Sequence, residues 1–200
     1  MFALACVPFT LLAIALVRND LGPNPVETLQ NHTGEWTLRF LVMTLAVTPL
    51  RKVLKLPELI RFRRMLGLFA FFYVCLHFLT YLWLDQTFNF RGMLDDVAKR
   101  KFITVGFTAF LLLIPLAVTS TTGMIRRLGG KRWQALHRTI YLCGILGVIH
   151  YWWKVKSDIR GPLFYAVLVG MLLLYRLWDS YFRGKGSAPA PVQAGTSAAG

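Results

Sequence analysis

Cysteine and charge are both scarce in this 200-residue chain. It has three cysteines, and 16% of its residues are charged, against about 25% in soluble domains. No CxxC pair occurs, which excludes a zinc ribbon and a redox dithiol. No CxxCH occurs either, so any haem is held without covalent attachment. There is no GxGxxG turn and no separate soluble segment, and the chain cannot take hydride from a dinucleotide unaided. A Ser/His/Asp set, a metal-hydrolase motif and an internal repeat are likewise missing. Cys6, Cys75 and Cys143 lie inside apolar stretches and read as small core residues. Residues 3–6, Ala-Leu-Ala-Cys, follow too short an apolar region to be a lipoprotein signal.

What the chain does have is apolar sequence. It is 56% hydrophobic, with a mean hydropathy of +0.51. That composition excludes a disordered chain and points to a protein embedded in a bilayer. Six apolar segments fall near 2–17, 38–50, 65–84, 102–119, 138–153 and 162–178. Each is continuous rather than alternating, which excludes β-barrel strands. The second is short and recruits Trp36 and Thr37 at its front. The prediction is an all-α membrane protein, a six-transmembrane-helix bundle over residues 1–183. A small, polar, Pro-rich cytoplasmic tail over 184–200 is expected to be disordered. Residues 21–25 form a turn cluster, and 25–36 are expected to form a short interfacial helix. Little sequence stands ahead of the first span, so an earlier start is expected.

The net charge of +14 does not indicate nucleic acid, because the cations sit between apolar blocks rather than on one soluble face. The stretches 51–64, 123–138 and 176 onward hold fourteen Lys and Arg, whereas 19–38, 85–102 and 154–161 hold seven. Cytoplasmic loops carry the excess. Six spans with both termini in the cytoplasm satisfy this, with membrane lipid as the surrounding partner.

Four histidines carry the chemistry: His32, His77, His137 and His150. His32 falls in the first outer loop and reads as a surface or capping residue. An ionisable residue inside a span is costly and marks function by default. His77 lies 13 residues beyond Arg64 and His150 lies 13 beyond His137, each about 20 Å along a helix that enters from the cytoplasm. The two therefore reach matching outer-side depth on different helices. Facing neutral imidazoles are what a six-coordinate haem iron needs, and a helix bundle holds such a plate in its core. Interhelical hydrogen bonding without a cofactor is the alternative. Arg63 precedes His77 by 14 residues, about 40° short of full turns, so the two share a face. By depth Arg63 lies opposite His137, where a second, inner haem would take His137 as one ligand. Arg63 would be its second ligand, a propionate clamp or simply a cytoplasmic-side charge. The 13-residue step from His137 to His150 is about 220° on an ideal helix. Either His137 precedes the regular helix, or Gly144 and Gly147 allow a distortion.

Several motifs, in order, carry a family resemblance. They are Leu21-Gly22-Pro23-Asn24-Pro25-Val26-Glu27, His32-Thr33-Gly34, Thr48-Pro49-Leu50-Arg51, Arg63-Arg64-Met65-Leu66-Gly67-Leu68 and Leu76-His77. Thr119-Ser120-Thr121, Trp133-Gln134-Ala135-Leu136-His137 and His150-Tyr151-Trp152-Trp153-Lys154-Val155-Lys156 complete them. Over residues 20–178 this set resembles the MsrQ (YedZ) family of the ferric-reductase-like transmembrane group. The resemblance implies a bacterial inner-membrane haem b protein, with FMN also bound. It would take electrons from the quinone pool or a flavin donor. It would pass them to a periplasmic molybdopterin enzyme, MsrP, that reduces methionine sulfoxide in proteins. The resemblance puts haem histidines on His77, His137 and His150. Related oxidases carry two histidines 14 apart in the third span, and Arg63 stands at the first of those positions here, leaving that ligand open. The outer loops 19–38 and 85–101 are the expected docking surface. Two other functions stay open at this point: a ferric or cupric reductase of the same architecture, and a non-redox transporter or scaffold.

Overall fold

Asn24 and Pro25 begin the longest helix of the protein. The Asn24 side chain accepts from the Glu27 N–H at 3.4 Å, and Pro25 at the first helical position gives up an N–H that would have no partner there. The helix then runs without interruption from Pro25 to Val53. The interfacial helix expected over 25–36 is thus not separate; it is the first three turns of the second span. His32 accordingly sits within a helix, half-buried and packed near Trp36 with ring centroids 6.3 Å apart, rather than in a loop.

The computed structural model describes residues 1–155 and 157–185. The helices among them are α1 (Phe2–Val17), α2 (Pro25–Val53), α3 (Ile60–Thr80), α4 (Phe90–Lys99) and α5 (Lys101–Val118). They continue as α6 (Thr122–Leu128), α7 (Gly130–His137), α8 (Ile140–Lys154) and α9 (Arg160–Lys185). A 3₁₀ turn, Pro57–Leu59, leads into α3, and a π turn, Tyr81–Asp85, leaves it. There is no strand among the described residues. The tail expected from 184 lies, beyond Lys185, outside the described residues.

The six apolar segments correspond to α1, α2, α3, α5, α8 and α9. Three stretches, Pro57–Asp85, Lys101–Val118 and Arg160–Phe182, are long and apolar enough to cross a membrane on length and composition alone. The others fall short for readable reasons. α1 has 16 residues and α8 has 15, about 24 and 22 Å against a hydrocarbon core near 30 Å. α2 is long but carries Glu27, Glu35, Arg39 and a series of threonines. The lipid-facing character of α9 is explicit: Phe164, Val167, Met171, Leu174 and Trp178 recur at helical spacing and are exposed.

Four helices build the centre. α3 packs along α2, α5 packs along α8, and α9 covers α2 and α8. Phe40, Leu41, Leu45, Phe69, Ala70, Tyr73, Leu113 and Cys143 fill the space between them. The ring of Phe40 stacks on both Tyr73 and Phe69, at 5.2 and 5.5 Å. This core separates two polar regions. One gathers the start of α2, the end of α3, the start of α5 and the end of α8, and contains His77 and His150. The other gathers the start of α3, the end of α5 and the α7–α8 junction, and contains Arg63 and His137.

Candidate functional site

His77 and His150 stand on α3 and α8 with ring centroids 6.0 Å apart and planes at 82°. Each ring is fixed through the same nitrogen. His77 Nδ1 lies 3.0 Å from the Gln30 carbonyl, and His150 Nδ1 lies 2.7 Å from the Phe102 carbonyl. A carbonyl only accepts, so both Nδ1 atoms carry a proton, and in the neutral imidazole the lone pair is then on Nε2. Thr33 Oγ1 adds a contact to His77 Nδ1 at 3.4 Å while donating its own proton to the Leu29 carbonyl at 2.7 Å. Metal-binding histidines are oriented in this way, with the second nitrogen tied to a carbonyl.

Two glycines make room for the rings. A Cβ on Gly106 would stand 2.5 Å from His150 Nδ1 and 2.7 Å from its Cε1. A Cβ on Gly34 would stand 3.0 Å from His77 Cε1. The backbone of α5 therefore approaches His150 more closely than any other residue permits, and α2 approaches His77 closely enough that a Cβ would need the ring to give by a few tenths of an ångström. The donor set also suits a metal carried in a macrocycle. Among the described residues no three His, Cys, Asp or Glu side chains converge on one point, and the pair itself would hold such a group through two imidazoles. With metal–nitrogen bonds of about 2 Å, ring centroids 6.0 Å apart would let both imidazoles reach one metal ion.

The second region brings Arg63 and His137 together as their sequence depths predict. With Trp133, Gln134, Arg138 and Tyr141 they line a cavity of about 260 Å³. The break between α7 and α8 resolves the 220° difficulty: His137 ends one helix and the regular helix carrying His150 starts at Ile140. His137 is held differently from the other two. Its ring stacks on Trp133 at 4.0 Å, and its Nε2 lies 3.0 Å from Thr119 Oγ1. That hydroxyl spends its one proton on the Pro115 carbonyl at 2.6 Å, so it accepts from Nε2–H. The lone pair of His137 is consequently on Nδ1. Burial first, and the Arg63 charge second, hold this imidazole below the ordinary histidine pKa, so it is neutral near pH 7. Arg176 lies behind the cavity, stacked over the Tyr141 ring at 4.8 Å and donating to the Leu45 carbonyl at 3.1 Å.

The sequence reading gives no role to the Gln30 and Phe102 carbonyls or to Gly106, and it names Thr119 and Lys154 only within motifs. A carbonyl leaves no trace in residue identity. Gly106 does, as a glycine inside an otherwise apolar helix, which signals close approach.

Comparison with known proteins places these features in a lineage. The ferric reductase like transmembrane component family matches residues 33–148. A protein of Herminiimonas arsenicoxydans, named protein-methionine-sulfoxide reductase heme-binding subunit MsrQ, is 54% identical over 193 residues, 95% of this chain and 88% of the relative. Proteins of the same name from Ralstonia nicotianae and Rhodospirillum rubrum are 51% and 50% identical. They cover 88% and 94% of this chain and 82% and 91% of their own lengths. No solved structure gives a significant match.

Proposed function

Because the chain belongs to the ferric-reductase-like transmembrane family, and within it to the MsrQ haem-binding subunits of protein-methionine-sulfoxide reductase, we propose that it relays electrons through haem b across the bacterial inner membrane. The observation that carries this reading is the His77–His150 pair. Two imidazoles on neighbouring helices, each locked through Nδ1 by a carbonyl, stand with ring centroids 6.0 Å apart and leave Nε2 for a metal. Haem supplies the one-electron chemistry when bound; the chain supplies ligands, burial and electrostatics. The backbones of α2 and α5 pack close against the two rings at Gly34 and Gly106.

In this reading the His77 end faces the periplasm and both termini face the cytoplasm. The electron acceptor is a periplasmic MsrP-like molybdopterin reductase that repairs methionine sulfoxide in proteins. The donor is the quinone pool or a flavin, FMN included. The Arg63–His137 cavity is the second cofactor place. Arginine keeps its proton, so Arg63 serves an inner haem better as a propionate clamp than as a ligand. For His137 to bind iron through Nε2, it must give up its bond to Thr119.

The reduced-minus-oxidised visible spectrum of detergent-purified protein, with haem and flavin counted per chain, tests the assignment. We expect a b-type spectrum that His77→Ala and His150→Ala abolish at the outer site while the protein still inserts. A ratio near two haems, with His137→Ala removing one, supports the inner site; a ratio near one limits the chain to the His77–His150 haem. Wild-type haem content in both outer-site variants defeats the assignment.

A further inference from the structure

Lys154 is the last residue of α8, one turn beyond His150 on the same helix. Its ammonium does not point away into solvent. It donates to the Asn31 side chain on α2, and Asn31 is the immediate neighbour of Gln30, whose carbonyl holds His77. Lys154 thus closes a bridge between α8 and α2 directly over the histidine pair. No ion pair joins Lys154 to a carboxylate among the described residues.

We propose that Lys154 is a positioning residue that raises the reduction potential of the haem carried by His77 and His150. The inference rests on the haem assignment above. One electron from an external reductant converts ferric to ferrous iron and lowers the net charge of the site by one. Lys154 keeps its protons throughout and gives up none. A fixed cation one helical turn from a metal-binding histidine favours the less positive state, and the partial burial of Lys154 reduces its screening by water. A higher potential at this end makes the pair the natural resting place for an electron that enters from the Arg63–His137 end.

The test is a dithionite redox titration of the purified haem-loaded protein, followed at its visible bands. Lys154→Gln is expected to keep its haem content and band positions and to titrate at lower potential. The expected change is about tenfold in the reduced-to-oxidised ratio at a fixed potential, or about 59 mV for one electron. Lys154→Glu is expected to fall further, and Lys154→Arg to match the wild type. A Lys154→Gln protein with full haem and an unchanged potential overturns the inference and leaves the haem assignment intact. If Lys154→Gln loses haem, Lys154→Arg decides: retained haem at wild-type potential supports the charge, and loss there too overturns it. Wild-type protein without haem, after expression with ample haem, would instead overturn the assignment beneath.

Discussion

The chemistry of the site is set by single atoms: the nitrogen each histidine commits to hydrogen bonding, and the Cβ that two glycines lack. His77 and His150 commit Nδ1, whereas His137 commits Nε2. That difference separates a ready pair of metal donors from an imidazole occupied with Thr119. Gly106 offers the sharper test of the packing. Alanine favours a helix over glycine by about 0.5–1 kcal/mol, so Gly106→Ala would stabilise α5 if only the helix mattered. Instead its Cβ would fall 2.5 Å from His150 Nδ1, against the ring's own hydrogen-bonded edge. We expect Gly106→Ala to insert normally yet lose or shift the haem spectrum. Gly34→Ala, with its nearest contact at 3.0 Å, is expected to do so less, and Gly123→Ala, with nothing within 4 Å, not at all. A wild-type spectrum in Gly106→Ala would show that the ring yields freely and that this glycine does not shape the site.

At the level of elements, the helix α1 is the least committed part of the bundle. It is apolar nearly all round and mostly exposed. It is held by the Phe2–Phe69 and Phe9–Phe72 ring contacts and by one bond, from the wholly buried Tyr73 hydroxyl to the Ala5 carbonyl at 3.1 Å. Tyr73→Phe removes that bond and keeps the ring. We expect a loss of about 0.5–1.5 kcal/mol, faster alkylation of the neighbouring Cys6 by mass spectrometry, and unchanged haem content. An unchanged Cys6 rate would mean that apolar packing alone seats α1. This level also shows what could be read in the sequence. The order of the apolar helices and the depth match of His77 with His150 follow from helical periodicity, and both are met. The fusion of 25–36 with the second span was hidden, because the Pro23–Pro25 turn chemistry precedes that helix and nothing after it stops the chain. The α7–α8 break was legible only as a contradiction between two histidines that should not share a face. The small helices α4 and α6 had cap residues, Asn89 and Thr121, but too few residues to show a period.

Across the whole molecule, charge is sorted by end as well as by sign. Seven of the nine acidic residues, all but Glu58 and Asp179, lie in segments at the His77 end. Three cations there pair with a carboxylate four residues earlier: Arg39 with Glu35 at 2.7 Å, Lys99 with Asp95 at 3.7 Å and Arg100 with Asp96 at 3.1 Å, whereas Arg18, Arg91, Lys101, Lys154 and Arg160 have no ion pair among the described residues. At the other end Arg51, Arg63, Arg64, Arg126, Arg127, Lys131, Arg132 and Arg138 have no ion pair among the described residues. Such surface pairs add little stability. What is directional is the number of Lys and Arg near span ends, which is larger at the Arg63–His137 end and holds those loops in the cytoplasm under the positive-inside rule. If that rule sets the orientation, a fluorescent reporter fused after Gly200 lights up in cells, and alkaline phosphatase fused there stays inactive. The same phosphatase placed between Gln86 and Thr87, in the turn after α3, becomes active. The reverse pattern would put the His77–His150 pair on the cytoplasmic side. A haem there would sit across the membrane from any periplasmic acceptor, and the relay would have to run inward. Topology is therefore the measurement on which the direction of electron flow depends, independently of how many haems the chain binds.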